Sequence, residues 1–230
     1  MYVPKQLWQG GKYLENLGGF NMDFFRLRNP DEAIELRLDG RSDNSYYNIR
    51  ANMVFIGTKQ RVHESDWFKK AVIYHEYGHA IDHQRGLRQS DEIQKLVKKH
   101  RDLLLNTKVK SRDNPTQTIT LAEDLAKSME KRWWELNRLA RRIGNTEQSR
   151  KEYRNEQRQL TATADTIKAL TERYGWGHKD GYCAKSKNRT AEYIAHAFEN
   201  AFIGNKQFKK LLPEIYDDMV DYIRQLKKVQ

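Results

Sequence analysis

The stretch Ser65-Asp66-Trp67-Phe68-Lys69-Lys70-Ala71-Val72-Ile73-Tyr74-His75-Glu76-Tyr77-Gly78-His79-Ala80-Ile81-Asp82-His83-Gln84-Arg85-Gly86 decides how this chain is read. Ser65 or Asp66 can cap a helix, because a short side-chain oxygen accepts an amide proton that the first turn leaves orphaned. Trp67, Phe68, Val72, Ile73, Tyr77 and Ile81 recur at helical intervals, and Gly86 suits a left-handed stop. On such a helix His75 and His79 stand at i and i+4, neighbours on one face, so both imidazoles can reach one cation. Glu76 lies about 100° further round, beside that cation rather than bonded to it. In this H-E-x-x-H spacing two histidines hold zinc and the glutamate moves a proton. Gly78 costs helix stability, so its presence predicts that something comes close to the helix there. The plainer alternative is a pair of surface histidines on an amphipathic helix.

Composition bounds the setting. A length of 230 residues fits one large domain with a substantial insertion. Forty-two Lys and Arg against 31 Asp and Glu leave a net charge of +11, which suggests a polyanionic partner. The hydrophobic share, 38%, is lean for a core, but 11% aromatic content argues against disorder. One cysteine, Cys183, excludes an internal disulfide framework and is read as a plain buried thiol. Apolar runs such as Met53-Val54-Phe55-Ile56 are far short of a membrane span. Met1-Tyr2-Val3-Pro4-Lys5 lacks the basic start and apolar stretch of a signal peptide. The expectation is a soluble, intracellular chain, or one delivered by other machinery, with no membrane partner.

Upstream of the histidine helix, Ala33-Ile34-Glu35-Leu36-Arg37-Leu38 alternates at period two and runs into the turn pair Asp39-Gly40. Tyr46 to Ile56 reads as a second strand ended by Gly57, so a small antiparallel sheet or hairpin is expected. Downstream, Ser90-Asp91-Glu92 opens a helix with Ile93, Leu96, Val97, His100 and Leu104, and Lys108 to Thr116 is a break containing Pro115. Ala122, Leu125, Met129, Trp133, Leu136, Ala140 and Ile143 then form one narrow apolar stripe ended by Gly144-Asn145. A second long helix spans about Glu147 to Tyr174, with Leu160, Ala164, Ile167, Leu170 and Tyr174 inward and Gly175 as its stop. The pair predicts an antiparallel helical hairpin, an arm inserted at about 90–174. Residues 84–160 hold 19 basic and 11 acidic side chains, so most of the net charge sits there. Trp133 is assigned to hairpin packing, whereas Trp134 falls off the stripe and is unexplained by it. Arg141-Arg142 and Arg150-Lys151 read as a solvated face, with nucleic-acid contact as the functional alternative. After a Gly- and aromatic-rich loop, Tyr174 to Tyr182, Thr190 is expected to cap a helix from Ala191 to about Phe202. Pro213 opens a last helix to about Leu226. The fold class is therefore α+β and mostly helical.

A catalytic zinc needs a third protein ligand and one open position. The H-E-x-x-H-x-x-G-x-x-H pattern fails, because Asp82 and Arg85 stand where its glycine and third histidine belong. A carboxylate must then serve. Glu192, His196 and Glu199 fall at i, i+4 and i+7 on one helix face, and an acidic stripe among Ile194, Ala195 and Phe198 is costly when buried without a partner. Glu192, Glu199 and Asp82 are the candidate third ligands. Asp82 and Glu199 are also candidates to accept the second N–H of a metal-bound histidine, with His83 and His196 near the site.

His75 to His79, taken with Glu192-Tyr193-Ile194-Ala195-His196-Ala197-Phe198, resembles the metallopeptidase domain of anthrax-lethal-factor-type toxins. It is still more similar to the peptidase domains attached to phage minor head, or head-morphogenesis, proteins. The resemblance covers about 46–86 and 174–226; the arm between them lies outside it and lengthens the spacing from His79 to Glu192. It implies a zincin-like fold of the gluzincin type, with the 46–56 strand flanking the cleft. It implies that His75, His79 and Glu192 hold Zn2+, and that Tyr182, or failing that His178, donates to an oxyanion. In that reading Glu76 is the general base of peptide-bond hydrolysis, and the 46–56 strand pairs with an extended protein or peptide substrate. The implied setting is a bacterial cytoplasm or a virion, with nucleic acid or phage head proteins as partners of the basic arm. A non-enzymatic virion or DNA-associated module braced by zinc, and a toxin or effector protease, are the competing readings.

Overall fold

In a computed structural model of the chain, residues 27, 34–59 and 64–228 are described. The expectations for Met1 to Lys5, and for Ala33, lie outside the described residues. The elements run β1 (Glu35–Asp39), β2 (Tyr46–Asn48), β3 (Met53–Gly57), α1 (Asp66–Arg85), α2 (Asp91–Asn106), β4 (Lys108–Lys110) and β5 (Thr118–Thr120). They continue with α3 (Leu121–Arg141), α4 (Glu147–Thr171), α5 (Ser186–Phe202), α6 (Lys206–Leu211) and α7 (Pro213–Lys228). The chain is thus α+β and mostly helical. No helix among the described residues is long and apolar enough to cross a membrane.

Two compact units divide the chain. The first takes the described residues up to Arg88, Ile194–Gly204, and those from Met219 onward. Its sheet has the order β1-β3-β2 and is mixed, not antiparallel: β3 pairs parallel with β1 and antiparallel with β2. The strand read as one piece over 46–56 is in fact a tight hairpin. Asn52 turns it with φ 46°, a left-handed conformation that Asn tolerates, and its Oδ1 accepts from Tyr47 Oη at 2.8 Å. Because β3 is the central strand, its backbone groups are already paired, which leaves β1 and β2 as the edges of this sheet among the described residues. Leu36, Val54 and Ile56 send their side chains to the buried face.

Helix α1 begins and ends where its caps dictate. Ser65 accepts from Phe68 N, and Gly86 adopts φ 64° with its N–H bonded to Asp82 O. Trp67 Nε1 donates to Gly204 O at 2.6 Å, tying the first turn of α1 to the chain just beyond α5. Gly78 has its physical reason here. A Cβ at that position would lie 2.8 Å from Ala195 Cα and 3.1 Å from Phe198 Cβ, so only glycine lets α5 approach α1 this closely.

The second unit takes Gln89–Tyr193 and Asn205–Asp218. Ser90, Thr120, Thr146 and Asn205 cap α2, α3, α4 and α6. Helices α3 and α4 form the antiparallel hairpin: Arg132 pairs with Glu156, and Gln157 Nε2 donates to Trp133 O at 3.3 Å. Ile143 is not in their seam; it is 96% exposed, beyond the last turn of α3. The break after α2 contains a small β4–β5 hairpin instead of loop alone. Helix α4 stops at Glu172, not Gly175. Glu172 holds a left-handed φ of 67° while its carboxylate grips Arg101 and Arg189. Thr190 is no cap, since α5 starts at Ser186 and Thr190 lies fully buried inside it.

Candidate metal centre

His75 and His79 project from α1 one turn apart, with ring centroids at 4.9 Å. His75 also meets His196 of α5, ring centroids 4.7 Å apart and planes at 70°. Glu199, one turn after His196, closes this group. Its Oε2 lies 3.1 Å from His196 Nδ1 and 3.8 Å from His75 Nδ1. His196 and Glu199 are buried, at 2% and 4% exposure, so water cannot satisfy them. Burial pushes the Glu199 carboxyl up, but His196 and His75 outweigh it and hold the group below its ordinary value. The second oxygen, Oε1, is buried and has no hydrogen-bond partner among the described residues. A buried carboxylate oxygen left over beside two imidazoles is what a cation would satisfy.

Helix α5 is one uninterrupted helix, and its spacing sets Glu192, His196 and Glu199 on one face. His75, His196 and Glu199 each offer one donor atom, all within 4.8 Å of one another, so together they can hold one ion. Imidazole nitrogen and carboxylate oxygen are donors that zinc accepts. Glu76 lies beside His75 on α1, at 7% exposure.

Glu192 has its own surroundings in the second unit. Tyr182 Oη donates to Glu192 Oε1 at 3.0 Å, and His178 Nε2 lies 3.2 Å from Glu192 Oε2. The same His178 nitrogen is 3.1 Å from Asp165 Oδ1, and its ring stacks on Tyr182 with centroids 4.9 Å apart. The loop reaches this position through Gly177, whose φ of 131° and contact with the Asp165 side chain exclude any Cβ. Asp165 escaped the sequence reading; the only signal was a charged residue beside the inward Ala164 and Ile167 of α4.

Other candidates have different work. Asp82 is fully buried and accepts from Arg88 N at 2.8 Å while pairing with the Arg88 guanidinium. Burial pushes its carboxyl above the ordinary value despite Arg88. It closes the end of α1, and although His79 acts on its charge it is in no group that could hold an ion among the described residues. His83 is exposed and meets the Tyr47 ring at 5.9 Å, away from His75. Burial, with Glu192 and Asp165 nearby, pushes the Cys183 thiol up to about 12, and no His or carboxylate group that could hold an ion includes it among the described residues. No family model, curated protein or solved structure matches this chain.

Proposed function

We propose that the chain is a zinc-dependent endopeptidase, phage- or prophage-encoded, in which His75, His79 and Glu192 hold the metal. One observation carries the proposal. An H-E-x-x-H helix, capped at both ends, lies against the stretch of α5 that carries His196 and Glu199, Gly78 permits that approach, and Glu192 stands one turn earlier on the same face of α5. A zinc ion held there supplies Lewis acidity, making water nucleophilic near neutral pH and polarising a carbonyl.

The chain's own residues supply the rest. Glu76 accepts the proton of the attacking water and passes it to the leaving amine. With Nδ1 turned toward Glu199, His75 keeps Nε2 for an ion, so Glu199 orients the ligand from behind. Tyr182 is 42% exposed and places a phenol O–H beside Glu192, where it can turn to a developing oxyanion; His178, stacked on it, holds the ring. An extended substrate would add to β2, an edge strand of the sheet among the described residues. Metal analysis should find about one zinc per chain. Glu76→Gln should abolish cleavage of an unfolded protein substrate while zinc is retained, and cleavage that persists in that variant overturns the mechanism.

A second reading has one observation in its favour. The set His75, His196 and Glu199 is more buried than a catalytic metal site requires, as a purely structural zinc would be. In that case zinc removal unfolds the chain, Glu76→Gln changes nothing, and no proteolysis is found.

A further inference from the structure

The end of the α3–α4 hairpin takes no part in the proposed chemistry, yet it is strongly basic. Residues 131–151 carry seven basic and two acidic side chains. Some of these cations are spoken for: Lys131 pairs with Asp113, Arg132 with Glu135 and Glu156, and Lys151 with Glu147. Arg138, Arg141 and Arg142 are exposed and have no ion pair among the described residues. Together with Trp134, Asn137 and Leu139 they line a surface hollow of about 670 Å³.

Trp134 is the informative member. It is 58% exposed, although an indole is among the most favourable side chains to bury. Trp133 braces it edge-to-face, with ring centroids 5.0 Å apart and planes at 86°. Trp134, Arg138 and Arg141 stand at i, i+4 and i+7, so the helix presents the ring and two guanidiniums on one face, and Arg142 follows at its end. Arginines in a last helical turn are also explained by the helix dipole. The dipole explains neither an exposed tryptophan nor the hollow beside it.

We infer that this hollow binds single-stranded nucleic acid, with a base stacked on Trp134 and phosphates held by Arg138, Arg141 and Arg142. Every base offers a face to an aromatic ring, and guanidinium groups match phosphate oxygens two at a time. In a duplex the bases are stacked on one another, so the indole has nothing to receive. An acidic polypeptide would engage the arginines but gains little from the ring. The inference rests on neither zinc nor catalysis.

The test is fluorescence anisotropy of the full chain with a labelled oligothymidylate of about 15 nucleotides, repeated from low to physiological salt. Three phosphate contacts give a slope of log affinity against log salt of about −2. Trp134→Ala should weaken binding roughly tenfold or more, and Trp134→Phe should keep most of it. The triple change Arg138→Gln, Arg141→Gln, Arg142→Gln should flatten the slope by about two. All four side chains are exposed, and circular dichroism confirms that the variants are folded. If the duplex, heparin or polyglutamate binds as tightly as the oligothymidylate, or Trp134→Ala binds unchanged, the inference is overturned.

Discussion

Gly78→Ala is the sharpest test of how the two histidines are held. The added Cβ would stand 2.8 Å from Ala195 Cα, a backbone atom that cannot swing aside, and 3.1 to 3.3 Å from two atoms of Phe198. Ordinary contact starts near 3.4 Å, so α1 and α5 must part by about 0.6 Å at this point. Two effects oppose each other. Alanine favours the helix over glycine by about 1 kcal/mol. Overpacking a close helix contact costs about 1–3 kcal/mol. The contact is backbone against side chain, with little freedom to relax, so the second effect wins by about 1–2 kcal/mol. The same displacement separates His75 from His196 and Glu199, beyond the roughly 0.5 Å that a preorganised site tolerates, and zinc affinity should fall about tenfold or more. Urea unfolding measures the first quantity and competition with a chromogenic chelator the second. A variant that gains stability while binding zinc as tightly as the parent refutes the argument that Gly78 sets the spacing.

Further expectations follow from the same structure. Asp82→Asn breaks a buried pair with partly exposed Arg88 and should cost about 2–3 kcal/mol, yet leave zinc binding intact, whereas Glu192→Gln should lose zinc without a comparable loss of stability. The reverse pattern, read by metal analysis and urea melts, would make Asp82 the third ligand. Burial holds the His100 imidazole below its ordinary value of 6.5, against the pull of Asp218. The unfolded chain then takes up this proton first, so the His100 contribution is complete above about pH 6.5 and declines as pH falls below it. His100→Gln should flatten that decline between pH 7.5 and 5.5, and identical slopes would dismiss the assignment. Ile143→Ser should change stability by less than about 0.5 kcal/mol, while Leu136→Ala, in the seam, should cost about 2–4 kcal/mol.

What the sequence made legible was local. Ser65, Ser90 and Gly86 announce helix ends through side-chain and backbone chemistry that acts within four residues, and the structure uses all three. The apolar stripe from Ala122 to Ala140 found the α3–α4 hairpin for the same reason, and it failed at Ile143, where the helix has already ended. Non-local pairing was out of reach. The parallel match of β1 to β3 depends on a register between residues about 18 apart, such as Glu35 with Met53, and no turn signal encodes it. Thr190 shows the limit of capping rules: a good capping residue was instead buried one turn into a longer helix, near Gln94. At the candidate site, the spacings His75 to His79 and Glu192 to Glu199 were readable because each lies on one helix. The service of Asp82 to Arg88, and the meeting of His178 with Asp165, come from loops closing back on helices, where spacing carries no information.

The contact of Gly78 with Ala195 and Phe198 also has a consequence in time. Its partners are made about 120 residues later, so at about 5–20 residues per second a ribosome needs roughly 6–24 s to supply them. For that interval the glycine face of α1 leaves the tunnel with nothing to rest against. The histidines beside it are complete as a pair long before Glu199 can orient them. The exposed glycine face and the unoriented histidine pair persist until α5 has left the tunnel.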